Sequence, residues 1–481
     1  MVRFGFVFLL AFAMLLMSCA PADVQDEDEA TVEQDMVADN ETAPSLTSTS
    51  GSMPTVVFFN GQVITMDPNL PKAEALAVLG EDILAIGTNE EIQALSGSET
   101  RVIDLGGKTI LPGFVDPHTH TLTYGGLTLE EAQQITLEGG TTTVGAAAIS
   151  PDRLNNLMQQ LESTKLRIRT SLYLTYNLKC SPLDGTWLLE YPPMLDTNEM
   201  IRFPGIKIFG DKGYMACGLG AMSVELPPEL VAERGGGPYG DLILSLEEMT
   251  QVIAKHQALG YQVIIHATGD RTVETALDAI EAALAGKPNT FRHRIEHNDF
   301  VRPELLSRYG EIGIVPIIRG RSWSPVCSLN ENDGVHWFGE SVHPWFYLHR
   351  SLLDANPGLP IAWHSDGAST TKHPIRDLYF LVTRKEISGD GVTACEPPDW
   401  FVAEAITVEE ALRLMTINAA YALFIDEKVG SLMPGKFADL IILSDNPLTV
   451  DPDSLIDLAV LMTMVGGRVE YCQVGYETLC P

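Results

Sequence analysis

Positive charge is in short supply in this chain. Of 481 residues, 31 are Lys or Arg and 64 are Asp or Glu, leaving a formal net charge of −33. Such a surface repels phosphate backbones and anionic headgroups, so a nucleic-acid partner is not expected. Cysteine is sparse as well: there are seven, and no two are spaced C-x-x-C. That argues against a thiolate zinc site. The apolar run at the N-terminus, Phe4–Met17, falls short of the roughly 20 residues a membrane-spanning helix needs. What the chain does have is apolar mass. Hydrophobic residues make up 45% of it, enough for a large core and more than one domain.

Arg3 followed by that apolar run reads as a signal peptide over residues 1–18. It ends in Leu16-Met17-Ser18-Cys19-Ala20, which resembles the lipobox of bacterial lipoproteins. The resemblance implies cleavage before Cys19 and acylation of its thiol. The protein would then be extracytoplasmic and tied to a bacterial membrane by its lipid alone. An ordinary signal peptide with an incidental cysteine is the plainer alternative. Residues 19–53, rich in Asp, Glu, Ser and Thr, read as a lipid-anchored, disordered linker. Outside the cytoplasm Cys472 and Cys480 could pair; free buried thiols are the other reading.

From Pro54 the pattern becomes β-type. Val56–Phe59, Gln62–Met66, Ala75–Val78, Ile83–Gly87 and Val102–Leu105 are short apolar runs separated by turn residues. The far end repeats this, with Ala438–Leu443 and Val460–Val465 followed by Gly466-Gly467 as a tight hairpin turn. The two ends, 54–111 and 427–475, are expected to form one small β-sandwich. Between them, 112–426 alternates strand-like and helix-like segments. Strands are expected at 110–116, 142–146, 168–174, 205–209, 262–266, 292–296, 312–317 and 360–364. Helices are expected at 129–138, 152–163, 246–259, 271–285 and 407–422, the last opening on a Thr407/Glu410 capping box. About eight such units fit a (β/α)8 barrel, an α/β fold of the TIM type.

In a barrel, reactive groups gather at the C-terminal ends of the strands. His118 and His120 stand there, two residues apart, so both imidazoles face one side of an extended chain. They can ligate one metal ion. His266 and Asp366 each close another apolar run, and His297 ends Arg292-His293-Arg294-Ile295-Glu296-His297. Any one of them could be a satisfied core residue, but their recurrence at separate strand ends favours a shared metal site. Lys207 lies inside Gly205-Ile206-Lys207-Ile208-Phe209, where an ammonium is costly to bury. It either pairs with an acid such as Asp211, or burial lowers its pKa and makes the amine reactive. A neutral amine captures carbon dioxide as a carbamate, which can bridge two metals.

Four segments carry a family likeness: Leu111 to His120, Ile206 to Asp211, His266 to Arg271, and Arg294 to His297. With the tail Gly430 to Leu443 they resemble the amidohydrolase superfamily, in particular the amidohydrolase family 3 or YtcJ-like branch. The resemblance runs from about residue 55 to 475. It implies a hydrolase acting on a small-molecule substrate at a carbon–nitrogen bond other than a peptide bond, such as that of an N-acyl or N-formyl amine or amino acid. It implies one or two divalent ions, zinc by default. His118, His120 and Asp366 would hold the inner ion. Carbamylated Lys207 would bridge to a second ion on His266 and His297, and Asp366 would also serve as the catalytic base. Assembly into a homo-oligomer is left open.

The sequence departs from that branch in two places. The interval from His120 to Lys207 lacks a large insertion usual there, which implies a trimmed, open pocket. The seventh strand ends in Pro316-Ile317-Ile318-Arg319-Gly320-Arg321 where relatives tend to end in a Gln-Pro-His pattern. Arg319 or Arg321 could clamp a substrate carboxylate, or pair with one of the many acids. Trp323, with Trp337 and Trp345, could wall an apolar pocket or pack the loop down. A deaminase on the same scaffold is disfavoured, because the position three after His266, where such enzymes tend to carry Glu, is Gly269. Ester or lactone hydrolysis remains open. So does a non-catalytic ligand-binding lipoprotein, which the complete ligand set disfavours.

Overall fold

The computed structural model of the chain describes residues 53–123, 126–213, 217–320, 326–327, 339–367, 374–388 and 393–481. Cys19, Arg321, Trp323 and Trp337 lie outside the described residues, as do the signal-peptide and linker segments apart from Met53.

The eight-stranded sheet is parallel throughout. Its strands follow chain order: Phe114–Thr119, Thr141–Ile149, Arg169–Thr175, Ile201–Phe209, Gln262–Ala267, Arg294–His297, Val315–Arg319 and Ala362–His364. Helices intervene, as a right-handed parallel crossover demands. Outward residues such as Ile206, Ile208, Val263 and Ile265 pack with helix residues Val273, Leu277 and Ile280. Val115, Ala147, Tyr173, Ile264, Val315, Ile317 and Ala362 form a separate cluster with Ala419, Ala420 and Leu423. The first and eighth strands are joined by backbone donors: Asp366 N to His118 O at 3.2 Å and His120 N to Gly367 O at 2.7 Å. Ser365 adds to this by donating to Asp116 from both its backbone N–H (3.3 Å) and its hydroxyl (2.5 Å). Burial raises the Asp116 carboxyl to about 7.

Two elements differ from the sequence-based expectation. The strand expected at 110–116 is two strands. Thr109–Pro112 belongs to another sheet, and Phe114–Thr119 opens the barrel. Gly113 makes the break: a Cβ there would sit 2.2 Å from the Thr142 side chain, so only glycine fits the crossing. The helix expected at 407–422 is also two, Val408–Leu414 and Ile417–Ala422. Between them the Thr416 hydroxyl donates to Leu412 O at 2.6 Å, a local bond that competes with the helical ladder. The Thr407/Glu410 capping box is formed as expected.

Both chain ends enter one six-stranded sheet. Its order is Arg468–Cys472, Val460–Val465, Leu440–Leu443, Thr109–Pro112, Gln62–Ile64 and Lys72–Ala73. Gly466 and Gly467 make its hairpin turn with φ of 52° and 69°, the double positive φ that glycine tolerates best. A four-stranded sheet, order Asp82–Gly87, Ala75–Leu79, Val56–Phe59, Arg101–Asp104, packs on it through Phe58, Leu76, Val78, Ile110, Leu440 and Met462. The six described cysteines pair as Cys180–Cys217, Cys327–Cys395 and Cys472–Cys480. No described helix is long and apolar enough to cross a membrane.

Candidate active site

The barrel gathers the expected ligand residues at one end of its strands. His118, His120 and Asp366 place one donor atom each within 4.8 Å of one another. His118 Nε2 and His120 Nε2 both lie 3.5 Å from Asp366 Oδ1. The other nitrogen of each ring is anchored. His118 Nδ1 faces Glu296 Oε2 at 2.5 Å, and His120 Nδ1 faces the Ala147 carbonyl at 3.1 Å. An Nδ1–H in each bond leaves Nε2 as a lone-pair donor toward the site, a common outer arrangement around metal-bound imidazoles. Glu296 is itself held by Arg294, whose Nε donates to its Oε1 at 2.9 Å.

A second group of donors, again within 4.8 Å, is His118, His297 and His364. Here the structure differs from the ligand set implied by the resemblance. His297 stands beside His364, with Nδ1 and Nε2 3.2 Å apart, and His266 is not in the group. The His266 ring is 4.4 Å from that of His297, centroid to centroid, but its Nε2 points to Asp211 Oδ1 at 3.0 Å. Asp211 is a strong attractor. Burial opposes its charge, yet His266 and the N–H groups of Thr268 and Gly269 (both 3.0 Å) hold it well below the usual carboxylate range.

Lys207 is fully buried, and its Nζ has no hydrogen-bond partner among the described residues. The alternative pairing with Asp211 is not seen, since that acid is committed to His266 and to backbone. Burial lowers the Lys207 ammonium to about 7, against the opposing pull of Glu296 and Asp366. Burial likewise keeps His118, His297 and His364 neutral, well below the usual histidine range, and brings His266 to about 3. Neutral, buried imidazoles are the form that binds metal. The Nε2 of His118, the Nδ1 of His364 and the Nζ of Lys207 are buried without hydrogen bonds. This donor set fits a divalent ion.

Strained backbone aims two of these groups. His297 has φ of 79° and Asp366 φ of 53°, conformations uncommon outside glycine. Asn298 follows with φ of 55° and bonds to Ile295 O (2.8 Å) and Ile317 O (3.0 Å), which holds the turn in place.

Arg319 is buried, and its Nε donates to Asp299 at 2.7 Å while Nη1 meets Asp366. The sequence left a choice between a substrate clamp and a surface ion pair. The structure places Arg319 in an interior ion pair with two aspartates, and this orients Asp366. Burial raises the Asp366 carboxyl, but the Arg319 charge and His120 hold it well below its usual value. Trp345 is half-buried against Phe346, Tyr347 and Phe401. His364, Glu296, Asp299 and Lys179 were given no role from sequence. His364 carried a usable signal, since it stands two residues before Asp366 on the same apolar strand.

Clustered buried histidines and an aspartate at one end of an eight-stranded parallel barrel form a candidate metal site. The sequence profile described as "Amidohydrolase family" matches residues 101–174 and 180–471, and the chain belongs to that family, in its YtcJ-like branch. It is 23% identical to the protein LONG AFTER FAR-RED 3 of Arabidopsis thaliana, across 89% of this chain and 94% of that one. It is 27% identical to an N-substituted formamide deformylase of Arthrobacter pascens, across 57% of this chain and 47% of that one. It is 26% identical to the imidazolonepropionase of Symbiobacterium thermophilum, across 77% and 83%. An uncharacterized metal-dependent hydrolase from Pyrococcus furiosus shares the fold with a TM-score of 0.62 at 20% identity, over 82% of this chain and 100% of that one.

Proposed function

We propose that this hydrolase cleaves a carbon–nitrogen amide-type bond of an N-acyl or N-formyl amine or amino acid, adding water to give a carboxylic acid and an amine. The observation that carries the reading is the pair of donor groups sharing His118, set around the buried, unpartnered Lys207 and closed by Asp366. A divalent ion in such a site, zinc by donor type, would polarise the amide carbonyl and acidify water. Asp366 then takes a proton from the attacking water and returns it to the leaving nitrogen. Its ion pair with Arg319 and its positive φ keep the carboxylate charged and aimed.

Lys207 would react as a neutral amine. Nζ bonds the carbon of carbon dioxide and releases one proton, giving an anionic carbamate whose two oxygens suit two ions. The resemblance between this chain and a formamide deformylase and an imidazolonepropionase supports amide chemistry over deamination. We further propose an extracytoplasmic, lipid-anchored location through Cys19. Three disulfides suit an oxidising compartment.

The test is turnover by wild-type and Asp366→Asn enzyme over N-formyl, N-acyl and ester panels, with metal content measured on both. Turnover of amides by wild type alone is expected. Equal inertness of the two across the panel would end the enzymatic reading. Native mass of the intact chain should show an extra carbon dioxide that Lys207→Ala lacks.

A further inference from the structure

We propose that Lys179 binds a carboxylate on the substrate, so that the preferred substrates are N-acyl or N-formyl amines that carry an acid group close to the scissile bond. This rests on the amide-hydrolase reading above and narrows it.

Lys179 lies four residues beyond the third barrel strand, Arg169–Thr175. Its loop is fixed at two points. On one side Asn177 clasps the end of the Lys207 strand: Asn177 Nδ2 donates to Phe209 O at 3.0 Å, and Phe209 N donates to Asn177 Oδ1 at 2.8 Å. On the other side the next residue, Cys180, is disulfide-bonded to Cys217 on the loop after that strand. Between these ties the ammonium sits 5.3 Å from the centre of the Phe209 ring. Lys207 Nζ lies 5.5 Å from the same ring, and the His266 ring is also 5.5 Å from it.

Gly213 shows what occupies the space between. A Cβ on Gly213 would lie 3.0 Å from Lys179 Nζ and 3.1 Å from His266 Nε2. Lys179 Nζ and His266 Nε2 therefore both border the space beside Gly213, and the His266 ring is 4.4 Å from that of His297.

Of the other basic groups nearby, Lys207 belongs to the ligand candidates, and the rest are paired. Arg319 meets Asp299 and Asp366, Lys212 lies 3.6 Å from Asp241, and Arg302 meets Asp270 and Glu274. Lys179 makes no ion pair or side-chain hydrogen bond with any described residue, in a chain with twice as many acids as bases. The acid that acts on it most strongly, Asp211, is committed to His266 and to backbone N–H groups. A shielded ammonium without a partner is costly unless a ligand supplies one. A compact lysine charge on a flexible stem suits a carboxylate that approaches from solvent.

The experiment compares wild type, Lys179→Met and Lys179→Arg on both enantiomers of N-formyl- and N-acetylleucine and on the matching leucinamides. Lys179→Met is expected to raise KM for the acids by about 10- to 100-fold, the range of a charged hydrogen bond. The kcat should change little, the amides should be unaffected, and Lys179→Arg should restore most of the loss. Calorimetric binding of N-acetylleucine to the Asp366→Asn protein should weaken by a similar factor when Lys179→Met is added. Equal losses on acids and amides, or no loss on either, would overturn the assignment. Wild type that hydrolyses only the leucinamides would overturn it too, while leaving the amide-hydrolase reading intact. Wild type inert on acids and amides alike would overturn the assignment, and the amide-hydrolase reading falls with it only if the wider N-formyl and N-acyl panel is inert as well.

Discussion

The two flanks of the site are built differently. On the flank of the first and eighth strands, each ligand candidate is tied at its far side: His118 to Glu296, His120 to the Ala147 carbonyl, Asp366 to Arg319. On the flank of the fourth and fifth strands, Lys207 Nζ has no tie and His266 Nε2 lies 3.0 Å from Asp211 Oδ1. The first flank is preorganised by the protein alone. The second leaves Lys207 without a protein partner.

The largest break in that contrast is Asp366→Asn. It removes the base from the rigid flank, and kcat on the responsive N-acyl substrate should fall by about 10²- to 10⁴-fold, read in a steady-state assay. Next is Glu296→Gln, which loosens the anchor behind His118. Metal affinity, measured by chelator competition, should fall by about 10- to 100-fold. Lys207→Ala sharpens the comparison from the other flank. Elemental analysis should show one metal equivalent lost, with the affinity of the remaining ion close to wild type. If Lys207→Ala strips both ions equally, the flanks are not independent.

A smaller effect separates the site from the scaffold through pH. His266 and His293 are both brought down to about 3 by burial. Between pH 3 and 6.5 the unfolded chain binds protons there and the folded chain does not, so stability of the metal-free protein rises with pH across this window. Each group contributes about 1.4 kcal/mol per pH unit. Acidification from pH 6.5 to 4.5 should lower the urea midpoint. His293→Gln, at a residue that accepts from Val263 N and lies apart from the ligand groups, should flatten the slope by about one proton. The smallest expected change is Cys472→Ser with Cys480→Ser, because that bridge closes a loop of separation 8 against 37 and 68 for the others.

The rigid flank was the more legible one in sequence. His118 and His120 share a short extended segment, so spacing alone shows their common face, and most of the barrel strands announce themselves as apolar runs, the charged Arg294–His297 excepted. The second flank depends on meetings between distant segments. Nothing near His266 indicates that Asp211 will draw its ring nitrogen, and nothing near Arg319 indicates that Asp366 and Asp299 will flank it. His364 was passed over because an apolar strand with histidine inside it reads equally well as core. Lys179 was missed because its significance is an absence of partners, which only packing reveals. The single strand expected at 110–116 failed for a local reason: a glycine crossing between two sheets looks, in sequence, like a continuous run.

The six-stranded sheet has a consequence for how the protein is made. Its central pairing joins Thr109–Pro112 to Leu440–Leu443, so the strand that leads into the barrel waits for a partner that follows the whole barrel in chain order. Contacts of such long sequence separation form late and slowly. A nascent chain that has not yet exposed Leu440–Leu443 leaves the apolar edge of Thr109–Pro112 without that partner. This pairing is therefore expected to close after the barrel strands have been made, and truncation before Leu440 should give chaperone-bound or degraded protein, not a shorter working enzyme.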